Sequence, residues 1–139
     1  NSRLDPMQAA ILGVKLTHLE RWTEARRAAA ARYHERLAGI DGVRLPVTPE
    51  DTEPVWHLYV VRVEERDRVK AAMEAAGVGI GVHYPVPCHL QGAFAHLGHA
   101  PGDFPVAEEA ARTMLSLPMF PEITEAQQDE VVAALTAAL

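Results

Sequence analysis

The segment Val55-Trp56-His57-Leu58-Tyr59-Val60-Val61-Arg62-Val63 carries the clearest β-strand signal in the sequence. It consists mainly of β-branched and aromatic residues, which strands favour. Side chains alternate between the two faces of a strand, so we expect Trp56, Leu58, Val60 and Arg62 to lie opposite His57, Tyr59, Val61 and Val63. We interpret His57, on a mostly apolar strand, as a hydrogen-bonded structural histidine and keep it as a minor site candidate.

Upstream of this strand the sequence predicts a long helix. Asp5-Pro6-Met7-Gln8 has the pattern of a helix start, with an aspartate N-cap, a proline at the first helical position and a glutamine three residues after the cap. The apolar stripe that follows comprises Leu12, Leu16, Leu19, Ala30, Tyr33 and Leu37. A single helix over residues 6–37 would be about 45 Å long, so we expect it to pack against another domain or subunit. Two helices that separate near Trp22-Thr23 are the alternative.

Downstream of the strand, helices and short extended segments alternate. We predict a helix over residues 65–76, a strand over 78–84, one or two helical turns over 90–97, and a third helix that begins at Phe104-Pro105. A short extended piece over 116–121 should lie at a sheet edge because it contains Pro118.

A capping-box pattern at Thr124-Glu125-Ala126-Gln127 starts the last helix, with Val131, Leu135 and Ala138 facing inward. With a further strand candidate at residues 43–46, the order of elements predicts an α+β fold. In that fold a small, mostly antiparallel sheet is covered by helices on one face.

Composition limits the class of protein. The 139 residues are 48% hydrophobic and carry a net charge of −6, which is ordinary for one soluble domain and does not suggest a nucleic acid or an anionic membrane as partner. No apolar run approaches the roughly 20 residues of a membrane span, and the single Cys88 is compatible with a reducing, cytoplasmic compartment. Because the chain begins at Asn1 without a methionine, we expect it to come from a larger protein; a short protein with its methionine removed is the alternative.

The densest group of polar and reactive side chains lies in residues 79–91. Pro85 and Pro87 fix the backbone there in an extended or turned form, between His83 and His89. A rigid loop that offers two imidazoles, a phenol and an amide can bind a polar ligand at little further cost in entropy. We therefore expect this loop to contribute to a binding site.

A metal site, a cysteine nucleophile and a phosphate-binding loop each agree less well with these residues. A metal could be held by His83, Cys88, His89, His96 and His99, but zinc ligands usually come in tight pairs, and only His96-x₂-His99 comes near such a spacing. Cys88 has no orienting third group beside His89, so we interpret it as a loop thiol rather than a nucleophile. The glycines of residues 77–81 lack the spacing and the following helix of a phosphate-binding fingerprint.

Several motifs follow one another in order along the whole chain. They are Asn1-Ser2-Arg3-Leu4-Asp5 with Gln8-Ala9-Ala10-Ile11-Leu12, Trp56-His57-Leu58-Tyr59-Val60-Val61-Arg62, His83-Tyr84-Pro85-Val86-Pro87-Cys88-His89-Leu90-Gln91, Gly102-Asp103-Phe104-Pro105-Val106-Ala107-Glu108 and Leu115-Ser116-Leu117-Pro118-Met119-Phe120-Pro121. Together they resemble the C-terminal portion of the DegT/DnrJ/EryC1/StrS family of pyridoxal-phosphate-dependent sugar aminotransferases. The resemblance implies the small domain of the aspartate-aminotransferase fold (fold type I), with residues 1–38 as an inter-domain helix preceded by an N-x-R segment and residues 39–139 as the small α/β domain.

The resemblance also implies a reaction, a cofactor and partners. Members of the family transfer an amino group to a keto nucleotide sugar, and L-glutamate is their usual amino donor. The HYPxP form of the loop points to amination at C3. The members are homodimers whose active sites lie at the subunit boundary. Asn1 would contact the phosphate of pyridoxal 5′-phosphate, Arg3 would lie close by at the substrate, and His83, Tyr84 and His89 would border the sugar-nucleotide pocket.

Neither lysine of the chain suits covalent attachment of that cofactor. Lys15 lies among leucines within the long helix and Lys70 lies on an amphipathic surface helix, so we interpret both as solvated or snorkelling side chains. We therefore expect no catalytic residue among these 139 residues and no activity from them alone, with the cofactor bound mainly by a large N-terminal domain. A non-catalytic α+β module for ligand binding or dimerisation is the alternative.

Overall fold

Helices pack on a small sheet in the structure, a computed structural model that describes residues 2–139. Within those residues the α-helices are α1 (Pro6–Leu16), α2 (Leu19–Leu37), α3 (Arg66–Ala75), α4 (Pro105–Thr113) and α5 (Glu125–Ala138). The strands are β1 (Val43–Arg44), β2 (Tyr59–Val63) and β3 (Met114–Leu117). Two 3₁₀ helices, Cys88–Leu90 and Gly92–Leu97, lie in the long connection between α3 and α4.

The sheet is antiparallel, with the strand order β1-β2-β3. Val43 pairs with Val63 at one edge, while Tyr59 pairs with Leu117 and Val61 with Leu115 at the other. The central strand is therefore the one with the clearest sequence signal, and β3 lies at the edge, as Pro118 predicted. The α+β class and the small antiparallel sheet are confirmed.

One face of this sheet forms the core. Tyr59, Val61 and Val63 of β2 are buried together with Leu115 and Leu117 of β3, in the predicted alternation. Helices α2, α3 and α5 cover them with Ala30, Tyr33, Leu37, Val69, Met73, Val131, Leu135 and Ala138. The predicted inward residues of the last helix are all buried, and its capping box between Thr124 and Gln127 is formed in both directions.

Two tyrosines join helix α2 to the sheet inside this core. The rings of Tyr33 and Tyr59 lie 5.2 Å apart, and the Tyr33 hydroxyl donates to the Pro118 carbonyl oxygen at 3.0 Å. Burial raises the pKa of Tyr59 to about 12 and raises the pKa of Tyr33 further, so both phenols stay neutral at physiological pH.

The long first helix is divided in the structure, but not where the sequence suggested. The break lies at Thr17 and His18 rather than near Trp22-Thr23. The Thr17 hydroxyl donates to the Val14 carbonyl oxygen at 2.8 Å, a local bond that competes with the regular helix pattern. Asp5 caps α1 as predicted by accepting from the amides of Met7 and Gln8. No residue of α1 is buried, so the apolar stripe reaches the core only in α2.

The central strand is shorter than predicted. It begins at Tyr59 instead of Val55, because Trp56 has a positive φ of 49° that a continuous strand does not allow. Arg26 of α2 binds the backbone here in place of a neighbouring strand: its Nη1 lies 3.3 Å from the Trp56 oxygen, 3.4 Å from the His57 oxygen and 3.0 Å from the Met119 oxygen. The expectation of a hydrogen-bonded His57 ring was wrong, since His57 is exposed and, within residues 2–139, only its carbonyl is bonded.

The strand predicted over residues 78–84 is also absent from the sheet within the described residues. Only Gly81 pairs there, through an isolated antiparallel bridge to Ser116. Pro85 and Pro87 lack the amide donors that a longer ladder would need. The segment is therefore an irregular loop attached to the outer edge of β3 at one point.

We expect Leu135 to be a main contributor to the free energy of unfolding. The Leu135→Ala substitution should lower it by about 2–5 kcal/mol, because this side chain is fully buried between α5 and the sheet. The Leu139→Ala substitution, at the partly exposed end of the same helix, should cost less than about 1 kcal/mol and serves as the control. Urea unfolding of the two variants measures the difference, and equal losses would contradict the core described above.

Candidate functional site

The loop at residues 79–91 is held to the sheet through Ser116. The Ser116 amide donates to the Gly81 oxygen at 2.8 Å, and the Gly81 amide donates to the Ser116 oxygen at 3.2 Å. Leu115 and Leu117, on either side, point into the core, so the side chain of Ser116 points to the opposite face of the sheet. The loop is therefore joined to the outer edge of β3, and the Ser116 side chain beside it faces away from α2, α3 and α5.

His83 is fixed against this anchor. Its Nδ1 lies 2.9 Å from the Ser116 hydroxyl oxygen, within hydrogen-bond distance. The ring also lies directly over Gly81, since a Cβ added to that glycine would be 2.5 Å from His83 Cε1. No hydrogen bond to His83 Nε2 is formed within residues 2–139, so this nitrogen can serve a ligand.

Tyr84 accompanies His83 at the surface. Its ring meets the imidazole edge to face, with centroids 5.6 Å apart, and the residue is 70% exposed. Of the three predicted pocket residues in this loop, His83 and Tyr84 are thus in contact. Their free polar atoms, an imidazole nitrogen and a phenol, can each donate or accept one hydrogen bond.

His89 belongs to a different cluster. Its side chain is only 8% exposed, and its Nε2 lies 3.0 Å from Glu108 Oε1. Because a carboxylate only accepts hydrogen bonds, Nε2 carries the proton in this contact. The ring also packs on Phe104, with centroids 4.7 Å apart. The imidazole is therefore turned toward the first turns of α4 rather than toward His83.

Glu108 connects this cluster to the loop that precedes α4. The Gly102 amide donates to its two carboxylate oxygens at 2.8 and 3.0 Å, and the Phe104 amide donates to Oε1 at 3.3 Å. The bond from the Gly102 amide, followed by those from Phe104 and His89, lowers the pKa of the Glu108 carboxyl. Glu108 is therefore ionised at neutral pH and fixes the backbone around residues 102–104.

An apolar groove lies beside this cluster. It has a volume of about 400 Å³ and is lined by Cys88, His89, Phe94, Leu97, His99, Phe104 and Ala107. His99 Nδ1 lies 3.4 Å from Asp103 Oδ2, and His96 Nδ1 lies 3.2 Å from the Ala93 oxygen. Within residues 2–139, no three His, Cys, Asp or Glu side chains are grouped as a metal site requires. His89, His96 and His99 thus have separate hydrogen-bond partners, although the rings of His89 and His99 both pack on Phe104. Cys88 is an exposed free thiol.

The predicted residues at the start of the chain, Asn1 and Arg3, lie far from this loop in the sequence. Asn1 lies outside the described residues, and Arg3 is exposed in the segment before the helix. A second groove, of about 610 Å³, follows along α1 and is lined by Leu4, Ala9, Leu12, Gly13, Lys15, Leu16, Leu19 and Trp22. None of the helices formed by residues 2–139 is both long and apolar enough to cross a bilayer.

Two residues of the site were not found from the sequence. Ser116 was assigned only to an extended piece, although alternation in Leu115-Ser116-Leu117 could have indicated that its hydroxyl faces away from the core. Glu108 was named only as the last residue of the motif over residues 102–108. Its contacts to Gly102 and His89 depend on how the loop folds back, for which the sequence has no periodic signal.

The chain is similar to known proteins along nearly its whole length. Residues 1–136 match the DegT/DnrJ/EryC1/StrS aminotransferase family. The chain is 49% identical over 137 residues to dTDP-3-amino-3,4,6-trideoxy-α-D-glucose transaminase of Streptomyces venezuelae, covering 97% of this chain and 36% of that protein. It is 50% identical over 135 residues to a pleiotropic regulatory protein of Geobacillus stearothermophilus, covering 95% of this chain and 36% of that protein.

A solved structure agrees with these sequence matches. The crystal structure of S. venezuelae DesV in complex with a ketimine intermediate superposes with a TM-score of 0.95 at 47% identity. The match covers 99% of this chain and 37% of that one. The chain therefore spans just over a third of the length of the relatives that it matches.

We expect the Gly102 amide to report the ionisation of Glu108. Its proton shift, followed by NMR as the pH is lowered, should change with a midpoint below the ordinary glutamate pKa of about 4.3, because the folded protein stabilises the carboxylate. The stabilising contacts are present above that range and are lost as the pH falls through the lowered pKa. The Glu108→Gln variant is the control and should lack this step; a wild-type midpoint at or above the ordinary value would contradict the assignment.

We expect an added methyl group at Gly81 to displace the imidazole of His83. The Gly81→Ala substitution puts a Cβ 2.5 Å from His83 Cε1, so the ring must move and its contact with Ser116 must weaken. Nitrogen chemical shifts of the His83 ring measure this. Gly79→Ala is a matched control, because a Cβ there meets nothing within 4 Å. Unchanged His83 shifts in Gly81→Ala would refute the described packing.

Proposed function

The chain belongs to the DegT/DnrJ/EryC1/StrS aminotransferase family, and from this premise we propose that it contributes part of the active site of a nucleotide-sugar aminotransferase. The enzyme transfers an amino group from L-glutamate to C3 of a keto nucleotide sugar, in the biosynthesis of amino-deoxysugars. The observation that carries the proposal is the match over residues 1–136, together with the name of the S. venezuelae relative, a transaminase of a 3-amino sugar.

The described residues do not fit the covalent attachment of pyridoxal 5′-phosphate, the cofactor that such aminotransferases use. Lys70 Nζ donates to Glu74 at 2.6 Å on α3, and Lys15 lies in the last turn of α1, where no residue is buried. A reactive lysine needs a site that lowers its pKa, by desolvation or by another cation. When bound, the cofactor would act as an electron sink and would carry the amino group between donor and acceptor. We place its lysine and most of its contacts in a segment outside these 139 residues, which alone are inactive.

The N-terminal segment has a separate part in the proposal. Asn1 contacts the cofactor phosphate of a neighbouring subunit, and Arg3 offers a cation beside the same site for an anionic part of the substrate. Residues 1–38 form the inter-domain helix region, and residues 39–139 form the small domain. The exposed apolar surface of α1 supports this division, since its large apolar residues Met7, Ile11, Leu12, Val14 and Leu16 are all more than half exposed. We propose that the large domain and a second subunit cover this surface in a homodimer.

The loop residues bind the substrate in this proposal. His83 presents Nε2 and Tyr84 presents its hydroxyl, and both suit the hydroxyl and phosphate oxygens of a nucleotide sugar. His89 borders the pocket through the apolar groove that it lines, with its Nε2 already bonded to Glu108. The exposed thiol of Cys88 is compatible with a cytoplasmic enzyme.

A second candidate function is a non-catalytic binding or dimerisation module. The positions of Lys15 and Lys70 favour it, because neither can hold the cofactor from where it lies. The name of the G. stearothermophilus relative, a pleiotropic regulatory protein, also agrees with a role other than catalysis. Under this reading the loop around His83 would bind a nucleotide sugar without turning it over.

We expect the complete protein that carries this chain to convert dTDP-3-amino-3,4,6-trideoxy-α-D-glucose and 2-oxoglutarate into the 3-keto sugar and glutamate. Glutamate formation, followed by coupled oxidation, measures this reverse transamination. His83→Ala should lower kcat/KM by about 10- to 100-fold through the loss of one substrate hydrogen bond. Thr136→Ala, on the exposed side of α5, is the control and should keep full activity. Tight binding of the nucleotide sugar with no glutamate formed would favour the non-catalytic module.

A further inference from the structure

Ser116 forms three hydrogen bonds that serve the loop rather than the sheet. Its amide and carbonyl pair with Gly81, and its hydroxyl oxygen lies 2.9 Å from His83 Nδ1. Among residues 2–139, this is the only hydrogen bond to the His83 ring. The Ser116 side chain and the backbone of Gly81 therefore help to hold that ring in place.

The sheet gives this serine little freedom to move. Ser116 is paired with Val60 across the β2–β3 ladder and is only 4% exposed. Leu115 and Leu117, its immediate neighbours, are buried on the core face at 0% and 2% exposure. Because the strand is held on both sides in this way, the backbone and Cβ of Ser116 keep a fixed place relative to the core, with the hydroxyl oxygen within 2.9 Å of His83 Nδ1.

Gly81 leaves the space that the His83 ring occupies. Without a side chain it lets the imidazole lie against the backbone, where a Cβ would come within 2.5 Å of Cε1 and 3.1 Å of Nδ1. The neighbouring Tyr84 ring meets the same imidazole edge to face. The ring is thus fixed by one polar contact and two packing contacts, which leave Nε2 for a ligand.

We propose that Ser116 is a positioning residue for His83. By engaging Nδ1 it fixes the ring orientation and leaves Nε2 as the nitrogen that binds an oxygen of the nucleotide-sugar substrate. A hydrogen bond at one ring nitrogen orients the imidazole and so fixes the direction in which the other nitrogen points. The proposal rests on the proposed function, because it requires that His83 contact the substrate.

A double-mutant cycle in the complete enzyme tests this proposal. Ser116→Ala should lower kcat/KM for dTDP-3-amino-3,4,6-trideoxy-α-D-glucose by about 10-fold, since a misdirected contact costs up to about 10²-fold. In the His83→Ala background the same substitution should change kcat/KM by less than about 2-fold, because its effect passes through the ring. Thr136→Ala again controls for loss of a hydroxyl group.

A second pair of variants tests the position of the His83 ring without changing Ser116. Gly81→Ala should reproduce the loss of activity, whereas Gly92→Ala, outside the loop of residues 79–91 and with nothing within 4 Å of an added Cβ, should leave kcat/KM unchanged. Nitrogen NMR of His83 should show altered Nδ1 and Nε2 shifts in both Ser116→Ala and Gly81→Ala. These measurements decide the question even where Ser116→Ala folds poorly.

The outcomes separate this proposal from the function on which it rests. Full activity in His83→Ala would overturn the substrate contact and the positioning role together. An impaired His83→Ala with a fully active Ser116→Ala would overturn the positioning role alone. Equal losses from Ser116→Ala with and without His83 would show that the serine only stabilises the fold, which also overturns it.

Discussion

The pairing of β3 with β2 is the constraint on which the rest of the structure depends. This four-residue strand buries Leu115 and Leu117 against Tyr59 and Val61 on one face, which joins the sheet to its helices. On the other face the same pairing presents Ser116 to the loop that carries His83. Because side chains alternate along a strand, core and site cannot shift independently. A slip of one residue would expose the leucines and remove the anchor of the loop.

Irregular segments around this sheet are fixed by polar side chains. Arg26 binds three backbone carbonyls from the segments just before β2 and just after β3, and Glu108 accepts from two amides of the loop before α4. Such contacts replace the ladder bonds that an irregular backbone cannot make. They hold the loops in one conformation, which suits a binding surface that must not lose much entropy when it meets a ligand.

The chain combines a closed core with an open surface. Helices α2, α3 and α5 bury their apolar residues on the sheet, whereas α1 buries none and leaves an apolar groove along its side. His83 contacts the Ser116 side chain, which faces away from those three helices, and Tyr84 is exposed beside it. Both features agree with the proposal that this chain forms one wall of a shared pocket and that the reactive lysine lies elsewhere.

The sequence by itself determined the elements whose signals are local or periodic: the central strand, the capped starts of α1 and α5, the inward face of α5, and the α+β class. Its motifs also identified the family. Only the tertiary structure decided that the central strand starts after Trp56 and that residues 78–84 form no strand, because these features depend on contacts between distant segments. The same holds for the site, where the Ser116–His83 and Glu108–His89 pairs join residues that lie 33 and 19 positions apart. Periodicity describes one element at a time, and such pairs exist only once the elements have packed.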